Sequence, residues 1–347
     1  MTRIVDVDDL RAHLQTAIEI EWSTIPPYLC ALWSLGEEHN REAATCLRDV
    51  VMEEMLHLTL AANVLNALRG EPQLDSPPSY PTTLPHSDGS FSVSLLPFCP
   101  EALETFLRIE LPAVRDAPAQ PDRYHTIAQF YEAIQEAIER LGTRRIWSRE
   151  LDRQVRPNSQ YYNGGGDAIV VEDRESALKA IELIVDEGEG FKGTQFDGDD
   201  KILGEEQELA HYFRFEELAR GRRFTPYDRP STGPTGDPVL VDWTAVAPMR
   251  PNPRPADYPP GSELRAMTDE CDATYARLLA ALQAAFDGEP ARLEEAVREM
   301  WALEYQAVAL MRVPCGEDGR TAGPAFSRPG SARPAGPARR RRGPAPA

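Results

Sequence analysis

The chain has 347 residues, 41% hydrophobic and 27% charged, proportions that suit a soluble globular protein with a well-buried core. Its formal net charge of −19 argues against nucleic acid or an anionic membrane as the main partner, since both select for positive surface. Met1 to Leu10 lacks the basic start and apolar run of a signal peptide, and no stretch reaches the roughly 18 apolar residues of a membrane span.

Five scattered cysteines, Cys30, Cys46, Cys99, Cys271 and Cys315, form no CxxC pair, which tells against a disulfide framework or zinc ribbon and fits a reducing cytoplasm. The periodicity is helical throughout. Asp8 to Leu35 carries Leu10, Leu14, Ala17, Ile18, Glu21 and Ile25 on one stripe, with Asp8 or Asp9 as the cap. Pro26-Pro27 interrupts it, because proline supplies no N–H to the ladder, so a kinked helix is expected. Arg41 to Leu68 is a second long helix whose inner face carries Val50, Glu54, His57, Ala61 and Val64.

Residues 71–122 are rich in proline and serine and read as an excursion with one short helix from Glu101 to Ile109. Thr126 to Leu141 is amphipathic, with Glu132, Glu136 and Glu139 on the solvent side. A second irregular stretch, 142–173, contains Tyr161-Tyr162-Asn163-Gly164-Gly165-Gly166 and precedes helices over Arg174 to Gly190 and about Leu203 to Ala219. Residues 1–229 thus form an all-α bundle with two insertions. Residues 230–328 add an irregular segment and a C-terminal helical hairpin, Ser262 to Phe286 and Ala291 to Arg312. Residues 329–347, with Arg339 to Arg342 among Pro, Ala and Gly, have the composition of a disordered basic tail.

Two ExxH motifs carry the chemistry: Glu54-Met55-Leu56-His57 and Glu208-Leu209-Ala210-His211. On a helix, positions three apart share a face, so each pair can grip one ion, and both faces belong to apolar stripes. A charge on such a stripe costs free energy unless it is paired or bound to metal. The other histidines, His13, His39, His86 and His125, lack a glutamate three residues earlier. A carboxylate-bridged dimetal site in a four-helix bundle needs two further glutamates from the remaining helices. Glu21 supplies one, with a buried ion pair as its alternative role. For the other, helical phase favours Glu187, while the glycines around Glu189 would let the backbone aim that residue inward; phase does not decide between them. Four glutamates would balance two divalent ions, and two imidazoles suit iron, with manganese as the alternative, better than magnesium or calcium.

Several stretches resemble the ferritin-like domain of the iminophenylpyruvate dimer synthase type. They are Glu19 to Tyr28, Glu53-Glu54-Met55-Leu56-His57, Gly188-Glu189-Gly190, Glu208 to Glu216, and Thr321 to Phe326. The resemblance runs over residues 1–328. It implies a ferritin-like four-helix bundle and a metal set of Glu21, Glu54, His57, Glu189, Glu208 and His211, and it selects Glu189 over Glu187. Relatives of this type couple two indole-pyruvate imines on the way to violacein and rebeccamycin. They are longer chains associated with haem; this sequence has no CxxCH for covalent attachment, and non-covalent haem, which needs no motif, stays open as a cofactor.

The expected function is a di-iron oxidase or oxygenase using dioxygen on a small, amino-acid-derived aromatic or imine substrate in a biosynthetic pathway, by oxidative coupling or a related outcome. Trp22, Tyr28, Tyr161, Tyr162 and Tyr212 offer aromatic surface for such a substrate. The alternatives are a ferroxidase or iron-handling protein and a non-catalytic metal-binding bundle. Self-association into a homo-oligomer is compatible with all three.

Overall fold

The computed structural model describes residues 3–36, 38–114, 117–157, 168–189, 194–196, 208–316 and 318–328. The loop at 161–166, residues 203–207 of the expected sixth helix and the arginine run at 339–342 lie outside these. Eight α-helices are present among the described residues: α1 Val7–Ser34, α2 Arg41–Ala67, α3 Pro100–Ile109, α4 Ile127–Leu141, α5 Arg174–Glu189, α6 His211–Arg220, α7 Glu263–Phe286 and α8 Leu293–Leu310. No described helix is long and apolar enough to cross a membrane.

α1 starts earlier than its stripe suggests. Asp6, not Asp8 or Asp9, is the cap: its carboxylate accepts the Asp9 N–H at 2.9 Å, while the Asp9 carboxylate accepts the Val5 N–H at 2.7 Å. As expected, α1 is one helix that runs through both Pro26 and Pro27. Pro27 cannot donate to the Ser23 carbonyl one turn back. The buried Tyr80 hydroxyl donates to that carbonyl instead, at 2.9 Å. Tyr80→Phe is therefore expected to leave a buried carbonyl unpaired and lower stability by about 1–3 kcal/mol in a denaturant titration, without altering metal content.

α1 and α2 form the long pair of the bundle. Its other two sides are each built from two shorter helices: α3 and α4 both pack on α1, α5 and α6 both pack on α2, and the pairs α3–α6 and α4–α5 meet across the bundle. α4 begins with a capping box between Thr126 and Gln129, and Glu132, Glu136 and Glu139 are exposed as expected. α6 ends on Gly221, whose φ of 66° is the left-handed conformation of a helix stop.

The α7–α8 hairpin packs against the α1–α2 pair. Trp22 Nε1 donates to the Tyr275 hydroxyl at 2.7 Å, and Asn66 Nδ2 donates to the Phe286 carbonyl at 3.0 Å. Phe326 stacks on Trp33 and meets Tyr275 edge-on, which brings the end of the described chain back onto α1.

Candidate metal centre

The broken sides of the bundle bring helix ends to its middle. Glu110 is the residue that closes α3, Glu187 lies in the last turn of α5, and His211 opens α6. They face Glu21 of α1 and Glu54 and His57 of α2, and all six are at least 94% buried. Two groups of potential ligands result, Glu21–Glu54–His57 and Glu54–Glu110–His211, with ligand atoms within 4.8 Å of one another in each group. Glu54 belongs to both, as a bridging carboxylate does.

The imidazoles are set in matching ways. His57 Nε2 lies 2.5 Å from the Glu187 carboxylate, and its Nδ1 faces Glu21 and Glu54, each at 3.7 Å. His211 Nε2 lies 2.7 Å from Glu53, and its Nδ1 faces Glu54 at 3.1 Å and Glu110 at 3.5 Å. A carboxylate accepts the Nε2 proton in both cases, so loss of the second ring proton turns a lone pair on each Nδ1 inward, the arrangement of histidines that ligate metal. His211 Nδ1 is buried and has no hydrogen-bond partner. The rings lie nearly parallel, 5.5 Å apart.

Hydroxyls hold the remaining carboxylates. Tyr131 of α4 donates to Glu21, Tyr28 of α1 donates to Glu110, and the Thr24 hydroxyl reaches Glu54. Tyr28 is wholly buried between Phe106 and Phe215, so it serves the centre and not a substrate surface.

Four of the six residues implied as ligands, Glu21, Glu54, His57 and His211, come together. Glu208 stands elsewhere: it precedes α6, so the second ExxH does not lie on one helix face, and its side chain is 60% exposed. It pairs with Arg214 Nη2 at 3.0 Å, and Arg214 Nη1 meets Glu53 at 2.9 Å. Glu208 thus connects to the centre through Arg214, Glu53 and His211 in turn. Glu189 closes α5, and its side chain lies outside the described residues; Glu187, the residue that phase favoured, is in the cluster. Sequence reasoning missed Glu110. Its signal was the α3 stripe Leu103–Phe106–Glu110, which continues one residue past the helix.

Five buried carboxylates (Glu21, Glu53, Glu54, Glu110, Glu187) against one guanidinium (Arg214) leave four negative charges, which two divalent cations would neutralise. With the unpartnered His211 Nδ1, this donor set fits a pair of such ions, bound by Glu21, Glu54, His57, Glu110 and His211.

Without metal, the charges are shared with protons. Burial, reinforced by the Glu54 charge, raises Glu21 to about 7. Burial also raises Glu110 and Glu187. Burial acts the same way on Glu54, but His211 and His57 outweigh it and hold that carboxylate below its usual range. Burial depresses the two imidazoles less than their carboxylate neighbours raise them.

A cation entering below pH 7 must displace the Glu21 proton; above pH 7 that proton is already gone. Metal affinity is therefore expected to rise with pH through 7, about tenfold per unit for each proton displaced, and to go on rising while the two raised imidazoles still hold protons, as metal titrations at pH 6 and 7.5 would show. Equal affinities at the two pH values would contradict it.

A chamber of about 20 Å³ adjoins the cluster, bounded by Glu21, Glu110, Ile127, Tyr131, Ile184 and Gly188. It has room for a water or dioxygen and not for an aromatic ring. A larger apolar cavity of about 100 Å³ lies between the α1–α2 pair and the hairpin, where Trp22, Met55 and Leu282 line it, and none of the clustered carboxylates does.

The ferritin-like family profile matches residues 14–220, from within α1 to the end of α6, and the chain belongs to that family. It is 26% identical to 2-imino-3-(indol-3-yl)propanoate dimerase of Chromobacterium violaceum, over 94% of this chain and 34% of that protein. It is 27% identical to dichlorochromopyrrolate synthase of Lentzea aerocolonigenes, over 84% of this chain and 30% of that protein. The chain spans about a third of the length of these curated relatives. A ferritin-like protein from Caulobacter vibrioides has the same fold, with a TM-score of 0.65 at 22% identity, covering 94% of this chain and all of that one.

Proposed function

We propose that this chain is a di-iron oxidase that uses dioxygen to oxidise a small, aromatic amino-acid-derived imine in a biosynthetic pathway, within a reducing cytoplasm. The observation that carries the reading is the double cluster with Glu54 common to both halves and a histidine lone pair turned into each. A relative named as a dimerase of an indole-bearing imino acid and another named dichlorochromopyrrolate synthase support the substrate class. The five cysteines, none in a disulfide, support the compartment.

Iron bound there would supply electrons to dioxygen. The protein's own part is to hold Glu21 and Glu110 through Tyr131 and Tyr28, to fix both imidazoles through Glu187 and Glu53, and to admit a guest no larger than dioxygen. The aromatic ring of the substrate then stays at the mouth of the chamber.

The size of that chamber also favours a second reading, a ferroxidase in which ferrous iron is the only species oxidised. Dioxygen uptake by iron-loaded protein separates the two, with imines generated in place from tryptophan or phenylalanine by an amino-acid oxidase and the uptake of that oxidase alone, which reduces one dioxygen per imine formed, subtracted. Repeated uptake that requires the imine supports the oxidase. Uptake that tracks added ferrous iron and ignores the imine supports the ferroxidase.

A further inference from the structure

Near the start of α1, a second group of metal-ligating side chains gathers away from the carboxylate cluster. His13 of α1, His86 between α2 and α3, and Asp122 ahead of α4 each offer a ligand atom within 4.8 Å of the others. His13 stands eight residues before Glu21, roughly 12 Å along the helix, so this group is separate from the centre above.

His13 is 93% buried. Its Nδ1 lies 2.8 Å from the Asp9 carbonyl, which can only accept, so Nδ1 carries the hydrogen and Nε2 the lone pair. That Nε2 is buried and has no hydrogen-bond partner. The His86 ring meets the His13 ring edge-on at 6.0 Å, and His86 Nδ1 lies 2.8 Å from Asp122.

The two loops are fixed where they meet. His86 has φ 57° and Arg123 φ 55°, a left-handed conformation uncommon outside glycine. They are tied by Arg123 N–H to the His86 carbonyl at 2.6 Å, Asp88 N–H to the Tyr124 carbonyl at 2.9 Å, and His125 to Asp88 at 2.9 Å. These contacts hold His86 and Asp122 beside the buried His13 Nε2, a polar atom that otherwise lacks a partner.

From this geometry we infer that His13, His86 and Asp122 bind one divalent transition metal of the zinc class, independently of the dimetal centre. Two imidazoles and one carboxylate suit zinc, with water completing the shell on the exposed side where His86 lies. Magnesium and calcium, which favour oxygen ligands throughout, do not suit it.

The test is a zinc count by elemental analysis on the full chain, stripped with chelator and dialysed against micromolar zinc. The wild type is compared with His86→Asn and Asp122→Asn. Both positions are partly exposed, and asparagine tolerates the positive φ at 86, so both variants should fold. Each is expected to hold one zinc fewer than the wild type. The same difference of one should persist when His57→Ala and His211→Ala are introduced into all three, so the result does not depend on how the dimetal centre fills. Equal counts in the wild type and both variants would overturn the site.

Discussion

Glu54→Ala is expected to empty both halves of the centre, whereas His57→Ala and His211→Ala each remove one metal directly and weaken the other. Glu54 is common to both groups, and its carboxylate lies 3.7 Å from His57 Nδ1 and 3.1 Å from His211 Nδ1. Elemental analysis should therefore give about two metals per chain in the wild type, about none in Glu54→Ala and at most one in either histidine variant. Metal a hundredfold above its dissociation constant adds about 2.7 kcal/mol per site, so the loaded wild type should melt on the order of 10 °C above Glu54→Ala. Helical circular dichroism should match between them, because α1 and α2 keep their shared apolar packing. Two metals retained in Glu54→Ala would remove the bridging role and, with it, the dimetal reading.

The long helices and the buried Glu and His side chains upon them were legible because periodicity is strong where a helix is long. Glu21, Glu54 and His57 each occupy a core stripe of α1 or α2, and a charged group there needs a partner whatever the fold. The broken sides were less legible. α3 spans ten residues, and Glu110 closes it just ahead of Pro112, one residue past the expected helix of Glu101 to Ile109. The second ExxH misled for the opposite reason. Spacing implies a shared face only inside a helix, and the helix begins at His211, which leaves Glu208 outside it.

The partner of the Ser23 carbonyl that Pro27 leaves free is Tyr80, which is remote in sequence and carries no local signal. Glu53 was hidden beside Glu54. Neighbouring helix positions diverge by about 100°, yet α6 packs on that side of α2 and gives Glu53 both His211 and Arg214.

The exchange of Glu208 for Glu110 gives a sharp contrast between two isosteric substitutions. Glu110→Gln keeps an amide oxygen for the Tyr28 hydroxyl and removes the charge that faces His211 Nδ1 at 3.5 Å. It is expected to bring the metal content from two towards one, with the metal beside Glu21 and His57 retained. Glu208→Gln removes a half-exposed charge that reaches the centre only through Arg214, Glu53 and His211. Groups that hold a ligand at one remove typically change metal affinity 10–100-fold, and surface ion pairs contribute about 1 kcal/mol or less. Glu208→Gln should accordingly keep both metals with affinity within about tenfold of the wild type. Side-by-side metal counts and competition titrations decide it. Loss of metal in Glu208→Gln with full loading in Glu110→Gln would restore the i, i+3 pair as the second ligand set. The opposite pattern would place the second ion between α2, α3 and α6, with its third carboxylate supplied by a residue that the ExxH spacing does not contain.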